Sequence, residues 1–534
     1  MSVIDLVDVG YALPGGWTLF EGVTFRVPAG AHAALIGANG IGKTTLLRIV
    51  ASLERPVSGQ VNVPGRIGLM RQFIGSEAQP TTVREFLLAY AEPGIASAGQ
   101  ALARAEAALA GDPAEPAQLE YAHALASWEE AGGYRAEVVW DRCTDAAFGQ
   151  GYPECADRHI QTLSGGERKR LALEVLFRST FDVLLLDEPD NFLDIGGKRW
   201  LEEQVRSCPK TILFVSHDRA VLAATAMRVV TLEGRGAWVH AAGFATYGEA
   251  RERRLERLEE EHRRFAEKHR HLEDHLKEMK RKAAYNADFA SLARSAEKKL
   301  ARFEERETPG GRPKEQNVRI AISGGRTGKM ALRLDDLSIP GMIDPFDAEI
   351  WFGERIGVIG PNGTGKTHFL RLLAGEDVTH EGEWRLGARV EPGLFHQLHD
   401  RRDLRGVPIV EVLRRHGMSM SEAMGVLSRY ELSHVGRNPF DLLSGGQQAR
   451  FQLLLMEVES PTMLLLDEPT DNLDVASAEA LEDAISRYEG TVIAVTHDRW
   501  FMRLMDRFLW FDGDGSVREL LESPWADELE VALP

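Results

Sequence analysis

Gly37-Ala38-Asn39-Gly40-Ile41-Gly42-Lys43-Thr44 returns 323 residues later as Gly360-Pro361-Asn362-Gly363-Thr364-Gly365-Lys366-Thr367. Glycines without side chains let successive backbone N–H groups wrap a phosphate where a strand turns into a helix N-terminus. The lysine, Lys43 or Lys366, then reaches the β- and γ-phosphates, and the hydroxyl of Thr44 or Thr367 ligates Mg²⁺. The flanks supply what such a loop needs: apolar strands at 31–36 and 355–359, and an apolar helix at 45–50. Each copy therefore predicts a phosphate-binding loop, and the duplication predicts two homologous α/β halves.

Three further motifs repeat at an offset of 280: Leu163-Ser164-Gly165-Gly166 with Leu443-Ser444-Gly445-Gly446, Asp187-Glu188-Pro189 with Asp467-Glu468-Pro469, and Ser216-His217-Asp218 with Thr496-His497-Asp498. Runs 183–186 and 463–466 are wholly apolar, as strands buried on both faces of a parallel sheet must be. They deliver the acid pair to the C-terminal sheet edge, where ligands of such sheets bind. Asp187 and Asp467 suit Mg²⁺ coordination, and Glu188 and Glu468 suit orientation or deprotonation of an attacking water. His217 and His497 end the next strands and can donate to the γ-phosphate. Each Ser-Gly-Gly opens a helix and offers backbone N–H groups and a hydroxyl to an anion.

The difference between the two offsets places an insertion of 43 residues in the first half, after Gln72, whose counterpart Gln397 also closes a strand-like segment. The inserted stretch, about 93–134, predicts a projecting helical arm of two helices around the breaker Gly111-Asp112-Pro113. Between the halves, Leu255, Leu258, His262, Phe265, His269, Leu272, Leu276, Met279 and Ala283 follow a heptad spacing. A turn near 285–288 and a returning helix with Leu292, Ala296, Leu300 and Phe303 complete an antiparallel pair. The expected layout is a first unit at 1–240, a linker at 241–318, a second unit at 319–520 and a short acidic tail at 521–534.

The formal charge of −18 disfavours nucleic acid unless positive charge is gathered in one place. The linker gathers it. Residues 251–307 hold 17 Lys and Arg against 14 Asp and Glu, and near the bend Lys277, Lys280, Arg281, Lys282, Arg294, Lys298, Lys299 and Arg302 face only three acids. A basic rod tip on an acidic protein suits phosphate-rich surroundings. Three scattered cysteines, Cys143, Cys155 and Cys208, exclude a disulfide framework or a thiolate metal cluster. The apolar runs end at Asp187 and Asp467, far short of a membrane span, and the N-terminus carries no export pattern, so the cytoplasm is expected.

The ordered P-loop, Gln, Leu-Ser-Gly-Gly, Asp-Glu-Pro and His motifs, twice over, resemble the ATP-binding cassette superfamily. Two cassettes on one chain, joined by a basic helical pair and with an arm in the first, are similar to its ABC-F subfamily, as is the linker stretch Asn286-Ala287-Asp288-Phe289-Ala290-Ser291-Leu292-Ala293-Arg294-Ser295-Ala296-Glu297-Lys298-Lys299-Leu300. The resemblance implies ATP as cofactor with Mg²⁺, and cassettes closing head to tail. One site would then pair Lys43, Thr44, Gln72, Asp187, Glu188 and His217 with Ser444, Gly445 and Gly446. The other would pair Lys366, Thr367, Gln397, Asp467, Glu468 and His497 with Ser164, Gly165 and Gly166. Asn39, Asn362, Gly40, Gly363, Thr45 and its counterpart His368 fall within the nucleotide sites, and Tyr11 is the expected adenine platform of the first. The resemblance further implies a ribosomal partner, large-subunit rRNA and peptidyl-site tRNA near the exit-tRNA site, met by Lys280, Arg281, Lys282, Arg294, Lys298 and Lys299, for translation regulation or antibiotic protection. A detached exporter ATPase is the alternative, and a DNA-junction ATPase a third. Departures are Asp187-Glu188-Pro189-Asp190-Asn191-Phe192-Leu193-Asp194 and Asp467-Glu468-Pro469-Thr470-Asp471-Asn472-Leu473-Asp474, where the family commonly reads Asp-Glu-Pro-Thr-Asn-His-Leu-Asp.

Overall fold

A computed structural model describes residues 3–13, 15–70, 81–284, 289–307, 318, 320–396 and 401–525. Each half builds the same pair of sheets. In the first, a six-stranded sheet runs Ile67–Met70, Val183–Asp187, Thr211–Val215, His32–Gly37, Arg228–Glu233, Gly236–His240, beside a three-stranded antiparallel sheet of Thr18–Val27, Ile4–Ala12 and Ser58–Asn62. In the second, the order is Pro392–Phe395, Met463–Asp467, Thr491–Val495, Arg355–Ile359, Arg507–Phe511, Val517–Leu520, beside Ile343–Trp351, Met330–Ile339 and Glu381–Leu386. Only the last pair of each large sheet is antiparallel.

The unbroken apolar runs have a direct structural cause. Val183 and Leu185 pack towards the small sheet with Ile4, Leu6 and Phe25, while Leu184 and Leu186 pack towards the helices with Leu171 and Phe214. Both faces are dry, so no alternation survives. Register then aligns the chemistry: Leu35 and Asp187 both pair with Val215, and Val358 and Asp467 both pair with Val495. The P-loop, the acid pair and the histidine therefore leave each sheet at one edge.

The arm comprises Pro93–Gly111 and Glu115–Glu130, broken at Asp112-Pro113-Ala114 and followed by a third helix, Gly133–Phe148. It does not project freely. Leu102, Ala105, Ala124 and Trp128 join the first core, and Trp128 stands 6.0 Å from Trp140, which meets Tyr152 at 5.4 Å. Trp128 is 3% exposed, and burying so large a ring, worth a few kcal/mol, fixes the hairpin to the cassette.

The linker is an antiparallel pair, Tyr247–Ala283 and Phe289–Glu307. It is rooted by the buried Tyr247, stacked on Phe244 at 5.5 Å and bonded to Thr231 at 3.1 Å. Phe265 stacks on Phe303 at 4.9 Å across the seam, flanked by His269–Glu304 at 2.8 Å. The turn near 285–288 lies outside the described residues. Among the described residues no helix is long and apolar enough to cross a membrane, and the three cysteines are buried free thiols.

Candidate functional site

The cassettes face each other with each P-loop opposite the other's Ser-Gly-Gly helix. A cavity of about 800 Å³ has Asn39, Gly40, Gly42, Lys43, Thr44, Thr45 and Glu188 on one wall, and Ser444, Gly445, Gly446, Glu468, Asp471 and Asn472 on the other. Gly42 and Gly365 precede the helices Lys43–Val50 and Lys366–Leu373 at φ 106° and 88°, a left-handed turn that a side chain would oppose. Lys43 is buried and donates to the Gly37 and Ala38 carbonyls at 2.8 and 3.1 Å; Lys366 does the same to Gly360 and Pro361 at 2.8 and 2.6 Å. Burial pulls both ammonium pKa values down, opposed by Glu188 and Glu468 respectively. A phosphate can replace those carbonyls as the lysine's acceptor.

The chemistry of the donor set fits Mg²⁺. Asp187 is 2% exposed, bonds Thr44 and leaves its Oδ1 without a hydrogen-bond partner, and burial holds its carboxyl above the usual range. Thr367 Oγ1 donates to Asp467 Oδ1 at 3.3 Å. A hydroxyl beside a buried carboxylate is the hard-oxygen pair a small divalent cation prefers.

Glu188 and Glu468 sit at φ 50° and 47°, the left-handed region, at a cost of about 1–3 kcal/mol each. Their backbone N–H groups still bond Val215 and Val495 at 2.9 Å, so the sheet edge holds the strained turns. Their carboxylates are oriented differently. Glu188 accepts from Asn191 Nδ2 at 2.7 Å, whereas Glu468 accepts from the His497 backbone N–H at 3.0 Å. Burial, then the nearby lysines Lys366 and Lys198, drives the His497 imidazole down to about 3, and burial with Lys43 lowers His217 as well. Both rings are neutral near pH 7. Neither nitrogen of His217 has a partner among the described residues.

Ser164 and Ser444 cap their helices, accepting from Glu167 N and Gln447 N at 3.2 and 3.4 Å. A hydroxyl that accepts retains its own proton to donate. The asparagines of the P-loops point to the partner cassette. Asn39 donates through Nδ2 to the Asn472 carbonyl at 2.7 Å and through its backbone N–H to Asp474 at 3.1 Å; Asn362 Nδ2 donates to the Phe192 carbonyl at 3.0 Å. Gly165 and Gly166 lie against Phe192, and a Cβ on Gly166 would stand 3.5 Å from Asn362 Nδ2.

Tyr11 does not line the cavity: its ring lies 6.1 Å from Phe20 and its hydroxyl bonds Glu54, while Leu13 and Leu19 take the cavity wall. His368 is exposed on its helix, whereas its counterpart Thr45 lines the first cavity. Gln72 and Gln397 lie outside the described residues. Sequence reasoning missed the cross-cassette roles of Asn472, Asp474 and Phe192, although the Leu-Asp that closes each acid motif repeats at the same offset. It also missed Arg401 and Arg405, which line the first cavity.

The family model described as "ABC transporter" matches residues 20–191 and 343–471. An "Antibiotic resistance protein" of Mycobacteroides abscessus is 48% identical over 98% of this chain and 100% of its own. The tylosin resistance ATP-binding protein TlrC of Streptomyces fradiae is 33% identical over 94% of each chain. Mouse ATP-binding cassette sub-family F member 3 is 31% identical over 96% of this chain and 71% of its own. The chain belongs to the ABC-F family. A crystallised archaeal recycling factor, aABCE1, in complex with the ribosomal stalk protein aP1, shares the fold with a TM-score of 0.58 at 19% identity, over 98% of this chain and 92% of that one. This ABC-F protein is thus a tandem-cassette, nucleotide-binding ATPase, with an antiparallel helical linker and a helical arm in its first cassette.

Proposed function

We propose that this ABC-F protein acts on the ribosome in the cytoplasm, with ATP and Mg²⁺ closing the cassettes and the linker pair meeting rRNA and peptidyl-site tRNA near the exit-tRNA site. The observation that carries the reading is the far end of the hairpin. Arg281, Arg294, Lys298 and Lys299 are exposed there and make no ion pair among the described residues, on a chain of net charge −18. Lys280 and Lys282 are engaged with Glu297 and Glu278 at 2.8 and 2.7 Å; exposed pairs of this kind are worth about 0–1 kcal/mol and yield readily to phosphate.

In each site Thr44 with Asp187, or Thr367 with Asp467, would hold Mg²⁺, which when bound would supply neutralisation of phosphate charge. Lys43 or Lys366 binds those phosphates, neutral His217 or His497 donates to the γ-phosphate, and the opposite Ser-Gly-Gly supplies N–H groups and a hydroxyl. Glu188 or Glu468 takes the proton of the attacking water. Closure needs both cassettes, so nucleotide shifts the population towards the closed form and hydrolysis releases it. The resistance names of two relatives favour protection against antibiotics over general regulation. Glu188→Gln with Glu468→Gln is expected to lower ATP turnover by about 100-fold or more and to hold the protein on 70S particles in ATP. A double variant that sediments free of ribosomes defeats the proposal. For the resistance role, survival of a susceptible bacterium on large-subunit antibiotics is the readout.

A further inference from the structure

Three of the positions at which the two halves differ lie close together at the interface and in register: Asp190 against Thr470, Asn191 against Asp471, and Lys198 against Ala478. The differences converge on one side of the interface. In the first cassette Asn191 lends its amide to Glu188. In the second, the equivalent residue is Asp471, whose carboxyl is pushed up to about 8 by burial and the nearby Glu468 and makes no side-chain hydrogen bond to Glu468 among the described residues. The His497 backbone N–H takes that place at 3.0 Å, with the His497 ring at 3.4 Å from the other oxygen.

The carbonyl of the same His497 accepts from Lys198 Nζ at 3.1 Å, and Lys198 belongs to the other cassette. Its ammonium is buried, 2.9 Å from Asp218 Oδ2. The second oxygen of Asp218 caps the helix Arg219–Thr225, accepting from Ala220 N and Val221 N at 2.9 and 3.0 Å. A continuous path therefore runs from the helix that follows His217, through Asp218 and Lys198, across the interface to His497 and Glu468. Ala478 offers no such path in the opposite direction. Two cross-cassette ion pairs, Arg219 with Glu482 and Arg499 with Glu202, do obey the repeat, so the one-sidedness belongs to Lys198 and not to the interface as a whole. The buried ammonium also answers the added acids: Asp218, Asp471 and Asp190 together outweigh the burial that would discharge it.

We propose that Lys198 is a positioning residue acting in trans on the second ATP site, where it fixes the His497 segment that orients Glu468. The second site then draws on the first cassette for the orientation of its carboxylate as well as for a Ser-Gly-Gly loop, and the first site has no counterpart of that lysine. This rests on Glu188 and Glu468 being the water-activating carboxylates of their sites.

Steady-state ATP hydrolysis in single-site backgrounds tests it. Glu188→Gln leaves turnover to the second site and Glu468→Gln leaves it to the first. Lys198→Met in the Glu188→Gln protein is expected to lower kcat on the order of tenfold or more, with KM for ATP within about twofold, as loss of orientation without loss of binding requires. The same substitution in the Glu468→Gln protein is expected to leave kcat within about twofold, and Lys198→Arg should restore most of the second-site rate. Should the unpaired Asp218 prevent folding, Lys198→Met with Asp218→Asn, which keeps a capping oxygen, carries the same test. Equal losses at both sites, a loss confined to KM, or no loss overturns the proposal. If Glu188→Gln and Glu468→Gln each fail to slow the parent, the underlying assignment of the carboxylates falls; if they slow it and Lys198→Met spares the second site, only the role of Lys198 falls.

Discussion

At the residue scale the sites depend on close approach and on protonation. A Cβ added to Gly446 would lie 2.1 Å from Asn39 Nδ2 and 2.9 Å from the Asn472 carbonyl, so Gly446→Ala must displace the Asn39 amide and break the hydrogen bond by which the first P-loop holds its partner cassette. We expect ATP turnover to fall about tenfold or more, with cross-linking between the two cassettes in ATP reduced in parallel. His497 gives a pH signature. It is neutral in the fold, at about 3, and titrates near 6.5 when unfolded, so the unfolded state takes up more protons below that pH. Its share of stability is complete above pH 6.5 and is lost as pH falls towards 3. The Tm advantage of the parent over His497→Gln should shrink through that window, and one that grows on acidification contradicts the assignment. The residue types gathered here were legible in the chain, because Gly, Lys, Thr, Asp and Glu recur at fixed spacing in both halves. The adenine platform was not. Tyr11 has the right chemistry, but its hydroxyl finds Glu54 and its ring finds Phe20, neighbours set by strands that spacing does not reveal.

At the element scale the hairpin is held by few apolar side chains. Beyond Tyr247 at its root, Leu272, Ala293, Ala296 and Phe303 are its buried side chains among the described residues, and Phe265 stacks on Phe303 across the seam. Phe303→Ala should cost about 3 kcal/mol locally while leaving both cassette cores untouched. Expected are loss of helical amide-exchange protection in 251–307, ATP hydrolysis within about twofold of the parent, and weaker ribosome association. Protection unchanged across the hairpin counts against this account of its stability. The heptad spacing made the pair readable in advance. The arm was readable as two helices, but its docking was not: Trp128 has no periodic signature, and its burial against Trp140 and Gly133 exists only after residues far apart in sequence converge.

For the whole molecule, charge segregation is the property to test. Replacing Arg281, Arg294, Lys298 and Lys299 with Ala should weaken ribosome binding and flatten its dependence on salt, by about one unit of log–log slope for each phosphate left without its cation. Unchanged affinity and slope at moderate ionic strength would show that these cations meet no phosphate. By itself the sequence determined the repeat, the P-loops, the acid pairs and the basic hairpin, since each follows from local chemistry or from a period. Only the tertiary structure decided that Asn39 and Asn362 grip the opposite cassette, and that Lys198 faces His497 while Ala478 faces nothing equivalent. Those hydrogen bonds join residues 170 to 433 positions apart. At such separations the partner of a polar side chain is set by how two folded bodies dock, and no local pattern in the chain encodes that geometry.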